Sequence, residues 1–325
     1  MYLISICIPT YNGAETLQQT IESILRDMDP SMVEVVIHDD CSTDRTLEIA
    51  DEYARKYKNI SVYENEQNVG MDRNFTKSAL KAHGEYVWFC GQDDVFEHRA
   101  ISKAIEIINT HHVNFIYFNY KFVSGDLSKE VFPPKLPVFQ NRFFETFQDY
   151  VKVVEHAPTF LPAIVMKREF WEQTAFDDYF DTYYVQVGVW LENSSRGKIY
   201  VVGDPKYVLC RVPEDSWKYH DGKMLFNTPT GSLKVYKRAH EKKKIPASLY
   251  KKIEAIYIRK HFWRVIACRC MGYDVTTKNI DDLRYIFNHR MLLYAFYIFP
   301  WLFLPKSIAT LLYTLGKTVK RVMTK

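Results

Sequence analysis

The chain has 325 residues, 47% hydrophobic and 25% charged, which excludes disorder, collagen and a simple coiled coil and leaves room for two domains. It is rich in aromatics, with 23 Tyr, 21 Phe and 6 Trp, while its 12 glycines argue against a glycine-rich dinucleotide binder. Net charge is only +4, yet residues 306–325 carry five basic and no acidic side chains, and residues 234–264 carry eleven basic ones against Glu241 and Glu254.

Leu3–Ile8 reads as a buried strand ended by Pro9; it is too short for a signal peptide. A helix of about 14 residues is expected from Ala14, with Leu17, Ile21, Ile24 and Leu25 on one face. Val33–Ile37 is a second strand running into Asp39-Asp40. Ser42 is placed to cap the helix that follows. Ile60–Tyr63 is a third strand, Met71–Ala82 a helix, Tyr86–Cys90 a fourth strand, and Val113–Phe118 a strand after a helix through Ala100–Ile108. Strands alternating with helices predict an α/β unit over residues 1–120 with a mostly parallel sheet. After Lys121 the alternation breaks. Residues 132–137 read as a loop or linker, 140–215 as mixed short elements, and 246–290 as helices packing through Ile253, Ile256, Tyr257, Phe262 and Ile266. The six cysteines form no CxxC pair, which argues against zinc and fits free thiols in a reducing compartment. The histidines lack metal-site spacing, and His111-His112 reads as the end of a helix.

Ligands of open α/β sheets bind at the carboxyl ends of strands. Three such ends are polar here: Pro9-Thr10-Tyr11-Asn12, Asp39-Asp40 and Gly91-Gln92-Asp93-Asp94. Together they supply four carboxylates, a ring and amides. Adjacent side chains at a strand end diverge, so an Asp-Asp pair is better suited to placing one carboxylate on a hard cation than to donating two protons. Magnesium or manganese takes one or two protein carboxylates and substrate phosphates. Asp93 is placed to hold such a cation against a diphosphate, Asp40 to bind a base or ribose, and Tyr11 to stack on the base.

The stretches SICIPTYNG, VVIHDDCSTDRT, NEQNVGMDRNF and HGEYVWFCGQDDVF resemble, in order and spacing, the nucleotide-sugar-binding domain of family 2 glycosyltransferases, which have the GT-A fold. AIVMKREFW and CRVPEDSW extend the resemblance toward the abequosyltransferase-type branch of bacterial O-antigen and capsule enzymes. The resemblance implies a nucleotide-sugar-binding half over 1–120, an acceptor-side half over 121–220, and a helical C-terminal region over 221–325. It implies an inverting hexosyl- or deoxyhexosyltransferase that uses Mn2+ or Mg2+, a nucleotide-diphosphate sugar and a lipid-linked or saccharide acceptor. Carried over position by position, it assigns Pro9, Thr10, Tyr11, Asp39, Asp40, Arg73, Asn74, Gln92 and Asp93 to the nucleotide sugar, and Asp93 to the metal. Arg73 has a plainer reading as a surface partner of Asp72.

Two departures stand out. Gly91 replaces the first acid of the family's DXD-type motif. The family's catalytic Asp falls near Val185-Gln186, neither of which is a base. Asp181, flanked by aromatics, is the nearest candidate base, with Asp215 in reserve; a helix-capping role is the alternative for Asp181. The missing base keeps open a membrane-attached sugar-nucleotide-binding or scaffold subunit without activity. A nucleotidyltransferase is disfavoured, because the loop after the first strand has one glycine and no basic residue. The basic segments carry no nucleic-acid recognition motif.

Met291–Leu304 is fourteen uncharged, mostly apolar residues, too short to span a bilayer. With the basic tail that follows, it reads as a monotopic anchor over 291–325 on an anionic inner membrane, at the cytoplasmic face. The alternative is a packing or oligomer surface.

Overall fold

The computed structural model describes residues 2–136, 140–212 and 223–323, and the chain divides into two compact units, Met1–Glu214 and Asp215–Lys325. The first unit contains strands β1 (Ile4–Thr10), β2 (Val33–Asp39), β3 (Ile60–Glu64), β4 (Tyr86–Phe89), β5 (Val95–Phe96), β6 (Phe115–Phe118), β7 (Lys121–Ser124), β8 (Glu130–Phe132), β9 (Arg142–Phe144), β10 (Ile164–Lys167), β11 (Ile199–Val202) and β12 (Val208–Val212). Its helices are α1 (Leu17–Leu25), α2 (Thr46–Lys56), α3 (Met71–Leu80), α4 (Ala100–His111), α5 (Phe147–Val154), α6 (Arg168–Gln173) and α7 (Val185–Asn193).

Eight strands form one sheet in the order β3-β2-β1-β4-β10-β6-β11-β9. The first four are parallel, and β1 and β2 are buried along their whole length. That is why Leu3–Ile8 and Val33–Ile37 read as continuous apolar runs rather than alternating ones. The sheet is mixed beyond β4. β10 lies antiparallel between β4 and β6, β11 runs parallel to β6, and β9 closes the edge antiparallel. The expected parallel succession from Tyr86 to Phe118 is therefore interrupted by a strand from residues 164–167. Local alternation cannot reveal that insertion, because the pairing is non-local.

A second sheet, β5-β12-β7-β8, has its own small core of Val95, Val123 and Leu209. The expected linker at 132–137 is tied down over its described part. Phe132 ends β8, and the buried Leu136 donates its N–H to Asn119 Oδ1 at 2.9 Å.

Helix starts move where side chains take over the backbone. α1 begins at Leu17, not Ala14, because Thr16 and Leu17 both donate to the Gly13 carbonyl in a tight turn. α2 begins at Thr46, whose N–H goes to Asp44 Oδ1; the expected cap, Ser42, instead donates to Asp39. His111 ends α4 as expected, with His112 left-handed beyond it.

The second unit is helical: α8 (Lys223–Glu241), α9 (Ala247–Cys270), α10 (Thr277–Ile286), short turns through Phe303, and a last helix Lys306–Met323 packed on α9. Of the expected packing positions on α9, Tyr257 and Ile266 are buried, while Ile253, Ile256 and Phe262 are half-buried. α9 also buries Glu254, which pairs with His289 at 2.9 Å and Arg290 at 3.3 Å. Among the described residues no single helix is long and apolar enough to cross a membrane; Asn288–Phe303 and Lys306–Leu315 pass that test only as a pair bent by 100°.

Candidate active site

The polar strand ends converge on Thr10-Tyr11. Beside Pro9 and Thr10, β1 has only β2 as a neighbour, because β4 stops at the Cys7–Phe89 pairing. The backbone is free to leave the sheet there. Thr10 Oγ1 donates to Asp39 Oδ1 at 2.8 Å, and Asp39 also accepts from the Ser42 N–H (2.7 Å) and hydroxyl (2.6 Å). Asp40 accepts from the N–H groups of Val69 (2.8 Å) and Gly70 (2.9 Å) and from Asn65 Nδ2 (2.9 Å). Gly70 has φ +86°, a conformation that glycine adopts without strain.

Both acids of the pair are thus buried and engaged by protein donors. Asp40, expected to face a base or ribose, organises the loop ahead of α3. Asn74 is likewise buried under the site. Its Oδ1 meets His38 Nδ1 at 3.0 Å, and its Nδ2 donates to the His38 carbonyl at 2.9 Å and, more weakly, to that of Thr10. Burial pushes the His38 pKa down, which favours the neutral ring. Gln92 grips the Tyr11 backbone from the other side, accepting from its N–H at 2.8 Å and donating to its carbonyl at 3.0 Å. A Cβ on Gly13 would collide with this amide, so the glycine is needed for the close approach.

The open face consists of other groups. The Tyr11 ring is 47% exposed. Asp93 is exposed, although the crowded turn around it raises its pKa by desolvation. The carboxylate of Asp94, next in the chain, is buried, and its pKa is raised further by burial and by Asp93. Arg73 and Asp181 meet at 2.9 Å with side chains 42% and 52% exposed, and the Arg73 guanidinium stacks over Phe180 at 4.6 Å. The sequence pairing of Arg73 with Asp72 is therefore corrected: Arg73 reaches a residue 108 positions away.

Asp72 has a different task, which sequence reasoning missed. It is buried, and it accepts from the N–H groups of Thr182 (2.9 Å), Tyr183 (2.9 Å) and Val185 (3.2 Å) at the start of α7. It holds a loop in which Asp181 (φ 60°) and Tyr183 (φ 68°) are both left-handed, a strained backbone that needs such over-determination. Burial raises the Asp72 pKa despite these three donors. The capping role offered as the alternative for Asp181 belongs to Asp72. The only signal in the sequence is an acid directly before Arg73-Asn74. Val185 and Gln186 are buried, and Asp215 lies outside the described residues.

Among the described residues no three His, Cys, Asp or Glu side chains converge as a metal cage. A cation held mainly by a substrate diphosphate needs only one or two protein carboxylates. Asp93, open to solvent, with Asp94 beside it, fits that demand in donor chemistry.

Residues 5–172 match the profile described as Glycosyl transferase family 2. The chain belongs to that family. It is 28% identical over 301 residues to the abequosyltransferase RfbV of Salmonella typhimurium, covering 86% of this chain and 88% of that protein. It is 35% identical over 127 residues to the poly(ribitol-phosphate) beta-N-acetylglucosaminyltransferase TarS of Staphylococcus aureus, covering 38% of this chain but 22% of that protein. In fold it is similar to the crystal structure of S. aureus TarS 1–349 in complex with UDP, with a TM-score of 0.62 and 19% identity over 89% of this chain and 81% of that one. It is also similar to the mannosyltransferase PcManGT of Pyrobaculum calidifontis in complex with GDP-Man and Mn2+, with a TM-score of 0.56 and 15% identity over 99% and 87%. Family 2 membership makes the chain a glycosyltransferase, and the mixed sheet with flanking helices is the GT-A fold.

Proposed function

We propose that the chain transfers a hexosyl or deoxyhexosyl group, with inversion, from a nucleotide-diphosphate sugar to a lipid-linked or saccharide acceptor in bacterial O-antigen or capsule synthesis. The observation that carries this reading is the division of the strand-end site. A buried frame of Thr10, Asp39, Asp40 and Asn74, with the half-buried Gln92 gripping the Tyr11 backbone, holds an open face of Tyr11, Arg73, Asp93 and Asp181. The long relationship to an abequosyltransferase supports transfer of a glycosyl group.

In this reading Tyr11 stacks on the base, and Pro9 and Thr10 set the direction in which the Tyr11 loop leaves β1. Asp39, Asp40, Asn74 and Gln92 act on the nucleotide through the loops they hold. Asp93 would hold Mn2+ or Mg2+, which supplies charge neutralisation at the departing diphosphate. Arg73 adds positive charge beside it and keeps Asp181 in place. Asp181 accepts the proton of the acceptor hydroxyl. The exposed apolar side chains of the second unit, Leu292, Phe296, Phe303 and Leu311, with Lys306 among them, suit attachment to an anionic cytoplasmic leaflet.

Mass spectrometry across UDP-, GDP-, CDP- and dTDP-sugars with manganese tests the reaction. Transfer or donor hydrolysis with one nucleotide class is expected. Nucleotide binding without turnover for every donor would favour the inactive binding subunit instead.

A further inference from the structure

The small sheet β5-β12-β7-β8 carries a pocket that the strand-end site does not use. Its volume is about 310 Å3, at the low end of the range of roughly 300–1,000 Å3 for small-ligand sites. The floor is apolar: Val123 and Leu209 are buried, and Leu127 packs against them. Leu127 has φ 63°, a left-handed conformation that side chains rarely adopt. Asp126 secures that turn by accepting from the Ser124 and Ser128 hydroxyls, the latter at 2.8 Å, and from the Ser128 N–H at 3.1 Å. The end of the β7–β8 hairpin is thus fixed as one wall.

The rim is charged. Lys121, Lys129 and Lys206 supply donors, and Glu97 and Glu130 supply acceptors. How these charges pair decides what the pocket suits. Lys121 meets Glu130 at 2.5 Å and Lys206 meets Asp204 at 2.6 Å, so two of the three lysines are already neutralised. Lys129 and Glu97 remain, one of each sign, neither with an ion-pair partner among the described residues. That balance does not select an anion. An apolar ligand would bury the charged rim without partners. A sugar ring matches both parts. Its C–H face can lie on the apolar floor, while its hydroxyls donate to carboxylates and accept from ammonium groups.

The pocket is also near enough to serve the strand-end site. Glu97 on the rim lies four residues beyond Asp93, at most roughly 13 Å at strand spacing. β12 runs from Leu209 in the floor to Arg211, whose N–H donates to the Asp94 carboxylate. The small sheet therefore joins the pocket to the acidic turn.

We infer that this pocket is a second saccharide site, which holds a sugar unit of the acceptor glycan remote from the hydroxyl that reacts. The inference rests on the transferase reading for the identity of that glycan. It commits the chain to an oligosaccharide acceptor rather than a single sugar.

The test uses the full chain with Leu and Val methyl groups labelled for NMR, and di- to tetrasaccharides of glucose, galactose, mannose and rhamnose as probes. At least one oligosaccharide should shift the Val123, Leu127 and Leu209 methyl signals. Glu97→Ala/Lys129→Ala, with circular dichroism as the folding control, should weaken that binding about tenfold or more, the loss of two hydrogen-bonding groups. In transfer assays the same variant should raise the KM of an oligosaccharide acceptor by that factor. The KM values of the donor and of a methyl monoglycoside acceptor should not change. No methyl shift with any probe, or wild-type oligosaccharide binding by the folded double variant, would overturn the inference and leave the transferase reading intact. A larger response to inorganic phosphate than to every sugar would overturn it in favour of an anion site. Absence of transfer from every donor would overturn the transferase reading and the acceptor role together, with the methyl shifts still deciding whether the pocket binds saccharide.

Discussion

The strand ends of the first unit and the apolar turns of the second unit break the ordinary burial rule in opposite directions. Asp39 and Asp40 at the end of β2, and Asp72 and Asn74 on the first turn of α3, are buried, and each is surrounded by protein donors or acceptors. In the second unit, Leu292 and Phe296 are 76% and 80% exposed, next to chain that carries a run of basic residues. Burying a polar group costs stability unless it is bonded, and exposing large apolar groups invites association. The first departure gives the proposed site a bonded frame; the second leaves an apolar surface open, which the proposed reading uses for attachment.

The sharpest way to break this contrast is at the open face over the frame. Asp181→Asn should lower kcat by roughly 10²–10⁴ with donor affinity by titration nearly unchanged. A loss under threefold would move the base elsewhere and leave Asp181 as a mere partner of Arg73.

The proposed attachment surface is tested by Leu292→Ser/Phe296→Ser. Losing two apolar side chains should reduce partition onto anionic liposomes by roughly 10–100-fold, with transfer to a soluble acceptor analogue preserved. Unchanged partition, or concentration-dependent oligomers that the double variant dissolves, would make these residues a subunit contact.

Tyr11→Ala comes next. Loss of a stacked base should raise the donor KM about tenfold, with little change in kcat, because the ring is remote from the reacting bond. A fall in kcat alone would contradict the stacking role.

The smallest effect concerns the packing behind the apolar turns. His261 on α9 is buried, with Nε2 3.2 Å from the Ile298 carbonyl, and burial lowers its pKa to about 4. The unfolded value is near 6.5, so the neutral ring's contribution is complete above that pH and is lost as the pH falls toward 4. Between pH 7.5 and 5.0 this removes about 2 kcal/mol. Thermal melts should show His261→Gln losing several degrees less than wild type over that interval; an identical drop would dismiss the histidine as the cause.

Much of this was legible in the amino-acid order, for identifiable reasons. β1, β2 and β4 announce themselves because central strands are apolar throughout, and the acids that follow them mark the ligand edge. β10 was not legible, since nothing local in Ile164–Lys167 says that it pairs between β4 and β6. Nor was the burial of Asp39, Asp40 and Asn74: the motif identifies the residues but not which of them face outward. Asp72 was hidden because its three partners lie about 110 positions away, and Arg211 because it arrives from β12.

Product formation by the wild-type chain and by Asp93→Ala, measured side by side by mass spectrometry on whichever nucleotide sugar turns over, tests the assignment of chemistry to the strand-end edge most directly. The account predicts transfer by the wild type and a loss of roughly 10³-fold or more in a variant with an unchanged circular dichroism spectrum. Near-wild-type product from Asp93→Ala at saturating manganese would contradict it.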